Sequence, residues 1–106
     1  MGMTAVVLAR AGELADDEGR VVEHGGREYA LWRLADGTVR VLDNHCLHLS
    51  GPLADGLIED GCVICPWHGW TYELSTGRRR SAFGPLGGVG CYRAWIEGDE
   101  VWADLP

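Results

Sequence analysis

Apolar and polar residues alternate with a period of two over most of this chain, in runs too short for helices. From Arg27 to Leu34, Tyr29 and Leu31 alternate with Ala30, Trp32 and Leu34, and Ala35-Asp36-Gly37 then turns the chain into Val39-Arg40-Val41-Leu42. That pattern predicts a hairpin. Trp70, Tyr72 and Leu74 alternate with Thr71 and Glu73 before Ser75-Thr76-Gly77, which predicts a half-buried strand. Tyr92, Ala94 and Ile96, then Glu97-Gly98-Asp99, then Val101, Ala103 and Leu105 predict another hairpin. Ala5 to Ala9 reads as the first strand, and only Ala11 to Asp17 suits a helical turn, weakened by Gly12. Short strands with frequent turn signals imply an all-β fold, a sandwich or barrel. No repeat, linker or low-complexity segment breaks the chain, so one domain is expected over residues 1–106.

Set into this strand pattern are two segments, Cys46-Leu47-His48 and Cys65-Pro66-Trp67-His68, with residues 49–64 between them. Each carries one thiol and one imidazole. Mixed donors of this kind suit a 2Fe-2S cluster in which two thiolates hold one iron and two histidines the other. Cys46 and Cys65 would take the inner iron and His48 and His68 the outer one, leaving the second nitrogen of each ring to face solvent and titrate. Reduction would raise the pKa of such rings, so the potential should fall as pH rises through their ionisation. Replacing two thiolates by neutral imidazoles lifts the potential of such a cluster into a range of roughly −150 to +300 mV. Two Cys and two His would also satisfy tetrahedral zinc. Colour separates these readings, because a zinc site does not absorb visible light.

The stretch Cys46-Leu47-His48, Pro52-Leu53-Ala54-Asp55-Gly56 and Cys65-Pro66-Trp67-His68-Gly69-Trp70-Thr71-Tyr72-Glu73-Leu74-Ser75-Thr76-Gly77 resembles the Rieske ferredoxins of bacterial multicomponent, ring-hydroxylating oxygenases. Gly84-Pro85-Leu86-Gly87-Gly88 is similar to the proline loop that covers the cluster in that family, and Tyr92 to Leu105 resembles its closing hairpin. The resemblance implies a Rieske-like β-sandwich or barrel with an inserted cluster-binding subdomain, at about residues 44–74, made of two ligand loops. It also implies one Rieske 2Fe-2S cluster held by Cys46, His48, Cys65 and His68. The chain would then be an electron-transfer component rather than an enzyme, between a flavin-dependent ferredoxin reductase and a terminal oxygenase.

Departures from the wider family carry information. Respiratory Rieske proteins add a cysteine to each loop and join the two by a disulfide; here those positions are Gly51 and Trp67, so no such bridge is expected. Their serine, which donates a hydrogen bond to a cluster sulfide, is replaced by Trp70, whereas Tyr72 falls where their tyrosine bonds a ligand sulfur. Losing one hydrogen bond to the cluster implies a low potential within the Rieske range. Leu49-Ser50 stands where oxygenase ferredoxins often carry a basic residue and glycine.

Composition narrows the partners. The chain has 106 residues, 46% of them hydrophobic, and a net charge of −7. That charge argues against nucleic acid and anionic membrane surfaces and suits basic patches on proteins. No apolar run approaches the ~18 residues of a membrane span, and Met1 to Ala9 lacks the basic flank of an export signal. A cytoplasmic location is expected.

Other residues take plainer readings. Cys62 and Cys91 are expected as buried thiols, His45 as a weaker ligand candidate than His48, and His24 as a turn residue. Trp67 and Trp70 are expected to screen the cluster, and Arg78-Arg79-Arg80 to be a solvated edge with docking as the rival reading. An alternative function is the small Rieske subunit of a larger reductase, such as assimilatory nitrite reductase. The mononuclear-iron domain that completes catalytic oxygenase subunits has no counterpart in this stretch, so a self-contained oxygenase is not expected.

Overall fold

The computed structural model describes residues 2–47, 50–67, 69–80 and 87–106. Its strands form three antiparallel sheets, as the alternation requires. One sheet has the order β1-β11-β10, with β1 at Thr4–Arg10, β10 at Ala94–Glu97 and β11 at Glu100–Leu105. A second has the order β2-β3-β4-β9, with β2 at Arg20–His24, β3 at Arg27–Arg33, β4 at Val39–Asp43 and β9 at Cys91–Tyr92. The third runs β5-β6-β7-β8: Leu57–Glu59, Cys62–Ile64, Thr71–Glu73 and Arg79–Arg80. The only helical pieces among the described residues are 3-10 turns at Ala11–Glu13 and Leu53–Asp55.

Strand β3 is the partition of the molecule. Tyr29, Ala30, Leu31 and Trp32 all have zero exposure, because successive side chains enter two different cores. Tyr29 and Leu31 pack with Val39, Val41, Val101, Ala103 and Leu105 against the β1-β11-β10 sheet. Ala30 and Trp32 pack with Leu42, Leu53, Val63, Tyr72 and Leu74, in the core that also holds Cys46 and Cys65. The alternation is therefore real, but neither phase of it faces water.

Two local expectations need correction. Tyr92, Ala94 and Ile96 do not share one strand: Tyr92 pairs with Val41 in β4, while Ala94 pairs with Ala103 in β11. The chain changes sheets at Arg93, whose parity leaves the alternation unbroken, and Ile96 ends up 37% exposed. Cys91 is likewise exposed rather than buried, because β9 is an edge strand paired only with β4. Its thiol lies 3.5 Å from the Ser75 carbonyl oxygen, and partial burial pushes its pKa up. Cys62, by contrast, is buried, and burial pushes its pKa up as well.

Candidate metal centre

The first loop is fastened at both ends before its cysteine is presented. Asn44, 2% exposed, accepts a hydrogen bond from the Ala54 N–H on its side-chain oxygen (2.9 Å) and one from the Leu53 N–H on its carbonyl (2.7 Å). Its amide donates to the Glu28 carboxylate at 3.2 Å. These bonds join the loop's two ends, and the Cys46 N–H closes it further on the Gly51 carbonyl at 2.8 Å. Ser50 turns the chain with φ +55°, a left-handed conformation that favours glycine.

The second loop is built between β6 and β7. The Cys65 N–H donates to the Trp70 carbonyl at 2.7 Å and the Gly69 N–H to the Cys65 carbonyl at 3.2 Å. A tight loop therefore projects from the end of the hairpin, with Gly69 at φ +74°. The two loops touch. A side chain built on Gly51 would come within 2.8 Å of the Cys65 sulfur and 3.1 Å of the Trp67 Cβ. Gly51 and Trp67 thus face one another, and none of the four cysteines, all among the described residues, is in a disulfide.

Two thiols consequently meet in a dry pocket, Cys46 at 2% and Cys65 at 1% exposure. Burial pushes the Cys65 thiol up, partly opposed by a hydrogen bond from the Trp67 N–H, and the neighbouring Cys46 pushes the same way as burial. A thiol raised by burial and by its neighbour needs a cation to become a thiolate. Tyr72, fully buried on β7, has its hydroxyl 3.0 Å from the Cys46 sulfur and 3.0 Å from the Leu47 nitrogen. The Leu47 N–H donates to that oxygen, and a thiolate at Cys46, having no hydrogen of its own, takes the phenol hydrogen. Burial, then the Cys46 contact, pushes the Tyr72 pKa up, so the donor stays protonated.

His48 and His68 lie outside the described residues, as do residues 84–86 of the expected proline loop. His45 turns to the Glu28 carboxylate at 3.6 Å. Trp67 is 47% and Leu47 52% exposed, so Trp67 covers the Gly51 backbone with one part and meets solvent with the rest. The arginine run is not one patch. Arg80 pairs with Glu73 at 3.3 Å, the Arg79 guanidinium lies 3.2 Å from the centre of the Trp70 ring, and Arg78 is exposed. Asn44 is a site residue that the sequence reading missed, and Arg79 was expected only as part of a solvated edge or docking run, not stacked on Trp70.

Residues 4–92 match the model of the Rieske [2Fe-2S] domain, and the chain belongs to that family. Family membership implies a Rieske-type 2Fe-2S cluster, and the buried, touching pair Cys46 and Cys65 fits its thiolate half. Over 67 residues, 63% of the chain, it is 45% identical to aminopyrrolnitrin oxygenase PrnD of Pseudomonas fluorescens. It spans only 18% of that oxygenase. In fold it is similar to the ferredoxin of carbazole 1,9a-dioxygenase from Nocardioides aromaticivorans IC177, with TM-score 0.87, 22% identity, and 97% and 99% of the two chains covered. It is also similar to a chain described as the small subunit of an NADH-dependent nitrite reductase from Mycobacterium tuberculosis, with TM-score 0.89, 20% identity, and 98% and 96% covered. Among the described residues no helix is long and apolar enough to cross a membrane.

Proposed function

We propose that this chain is a one-electron carrier whose low-potential Rieske cluster is held by Cys46 and Cys65 on one iron and by His48 and His68 on the other. It takes electrons from a flavin-dependent reductase and passes them to a terminal oxygenase. The observation that carries the reading is the meeting of two buried thiols from separate loops, with the Tyr72 hydroxyl on one of them. When bound, the cluster supplies reversible uptake of a single electron near the Rieske range of potential.

The chain's own residues do the rest. Asn44 and the Gly51 carbonyl hold Cys46 in place, while the Trp70 carbonyl and Gly69 N–H hold Cys65. Tyr72 and the Trp67 N–H direct hydrogen bonds at the two sulfurs and stabilise negative charge there. Leu53, Val63 and Leu74 exclude water from the same core. Leu47 and Trp67, exposed on the two loops, offer an apolar contact beside the cysteines where a partner can come close.

A second reading, the small subunit of a nitrite reductase, is favoured by the fold likeness at TM-score 0.89. One experiment separates the two. Anaerobically purified protein should contain equal iron and sulfide, absorb visible light and give a Rieske spin-resonance signal when reduced. Under the carrier reading it does so alone, accepts electrons from a separate flavin reductase and is reoxidised by an oxygenase. A protein that loads its cluster only when made with a large reductase subunit belongs to the second reading. Colourless protein binding zinc alone sinks both.

A further inference from the structure

Arg79 sits where a charge can act on the thiol pair. In the β7–β8 ladder it is the direct partner of Tyr72, so the two side chains share a face, and Tyr72 is the residue that holds the Cys46 sulfur. The Arg79 guanidinium lies 3.2 Å from the centre of the Trp70 ring, and Trp70 provides the carbonyl that holds Cys65. One cation is thus docked on the two residues of β7 and its lead-in that fasten both cysteines.

This cation is also poorly neutralised. Arg27, Arg80 and Arg93 each pair with a carboxylate at 3.3–3.5 Å, whereas no such ion pair is found for Arg79 among the described residues. Among the described residues its buried Nε has no hydrogen-bond partner, and its backbone N–H is tied to the Gly87 carbonyl at 2.9 Å. A charge held in place and partly out of water acts over longer distances than a solvated one. Arg78 next to it is exposed, so it is a natural control with the same charge.

We propose that Arg79 is a positioning residue that sets the redox equilibrium of the site, its fixed charge on Trp70 favouring the reduced state. The inference rests on the reading of the chain as a cluster-bearing carrier. It is independent of docking, because the effect belongs to the isolated protein. One added electron makes the thiolate-held site more negative by one unit, and a nearby positive charge stabilises that state more than the oxidised one.

The test is an equilibrium redox titration of purified protein against an electrode, after iron and sulfide have been shown to match in each variant. Arg79→Gln should shift the equilibrium towards the oxidised state by about three- to tenfold, about 30–60 mV at about 59 mV per tenfold for one electron. Arg79→Lys should recover more than half of that shift. Arg78→Gln should produce less than a third of it, and high salt should erase that smaller effect. An Arg79→Gln midpoint equal to wild type, or equal to that of Arg78→Gln, overturns the inference. Should Arg79→Gln fail to load, Arg79→Met takes its place as the neutral variant, with the same midpoint shift expected and the same results overturning the inference. Failure of both neutral variants to load makes Arg79 a packing residue and also overturns it. Wild-type protein that never loads is a different failure, that of the carrier reading.

Discussion

The two cores on either side of β3 use the same strand for different ends. The far core is closed by aliphatic and aromatic contacts, with Leu31, Val41, Val101, Ala103 and Leu105 all at zero exposure, and its one fully buried phenol, Tyr29, finds no hydrogen-bond partner among the described residues. The near core has Leu42, Leu53 and Val63 at zero exposure too, but it also encloses two thiols and a phenol. Buried polar groups destabilise unless they are partnered, and here the partners are the loops themselves. The near core is therefore coupled to its cofactor in a way that the far core is not. Strand β3 lets one small chain keep a self-sufficient foundation beside a site that gains stability from what it binds.

The largest expected effect breaks that division. Leu31→Ala in the far core and Leu53→Ala in the near core each remove a fully buried leucine, and each should cost about 2–5 kcal/mol. Their cofactor readouts should part. Leu53 heads the 3-10 turn whose N–H bonds to the Asn44 carbonyl, so Leu53→Ala should lower iron content as well as stability. Leu31→Ala should leave the iron content and the visible spectrum of the folded fraction unchanged. Urea unfolding with iron assay on the same samples checks this, and equal iron loss in both variants would erase the distinction.

A smaller change sharpens the near core without emptying it. Tyr72→Phe keeps the ring and removes the hydroxyl that lies 3.0 Å from both the Cys46 sulfur and the Leu47 nitrogen. A hydrogen bond to a charged sulfur that strengthens by about 1 kcal/mol on reduction corresponds to ~40 mV. The midpoint potential should fall by about that amount, with little change in the far core. An unchanged potential would remove Tyr72 from the redox chemistry and leave it as packing alone.

The cysteine pair was legible because donor spacing needs no tertiary information, Tyr72 as a strand residue because it alternates with Thr71 and Glu73, and its place at a ligand sulfur only through the family resemblance. Trp32 and Tyr29 were legible as strand residues but not as members of two cores. When both phases of an alternation are apolar, period alone cannot tell which neighbour each will meet. Asp60-Gly61 carries a readable hairpin signal, and both residues adopt positive φ, +50° and +73°, joining β5 to β6. Asn44 gave no local sign and Arg79 showed only as one of three adjacent cations, since a buried amide and a stacked guanidinium acquire meaning only from the tertiary partners they meet. The change of sheet at Arg93 was hidden because an odd-numbered break preserves parity.

The boundary between the cores is also open to titration. Tyr92 packs edge-on against Tyr29 with ring centres 5.1 Å apart and donates its hydroxyl to the Asp43 carboxylate at 2.8 Å. The same carboxylate accepts the Gly90 N–H at 2.9 Å, so Asp43 ties β9 and its lead-in to β4. Burial first, then the hydrogen bond to Asp43 and its negative charge, pushes the Tyr92 pKa up to about 12 from its ordinary 10.0. The folded state thus favours the protonated phenol more than the unfolded state does. That contribution is whole below about pH 10 and is lost as pH rises towards 12. Tyr92→Phe does not titrate there, and at neutral pH it should be less stable than wild type by about 1 kcal/mol for the lost hydrogen bond. Urea unfolding at pH 9 and pH 11.5 should show the gap between wild type and Tyr92→Phe closing at the higher pH. Parallel losses in the two proteins would mean that the alkaline weakness lies elsewhere, Tyr72 being the other phenol whose pKa burial raises.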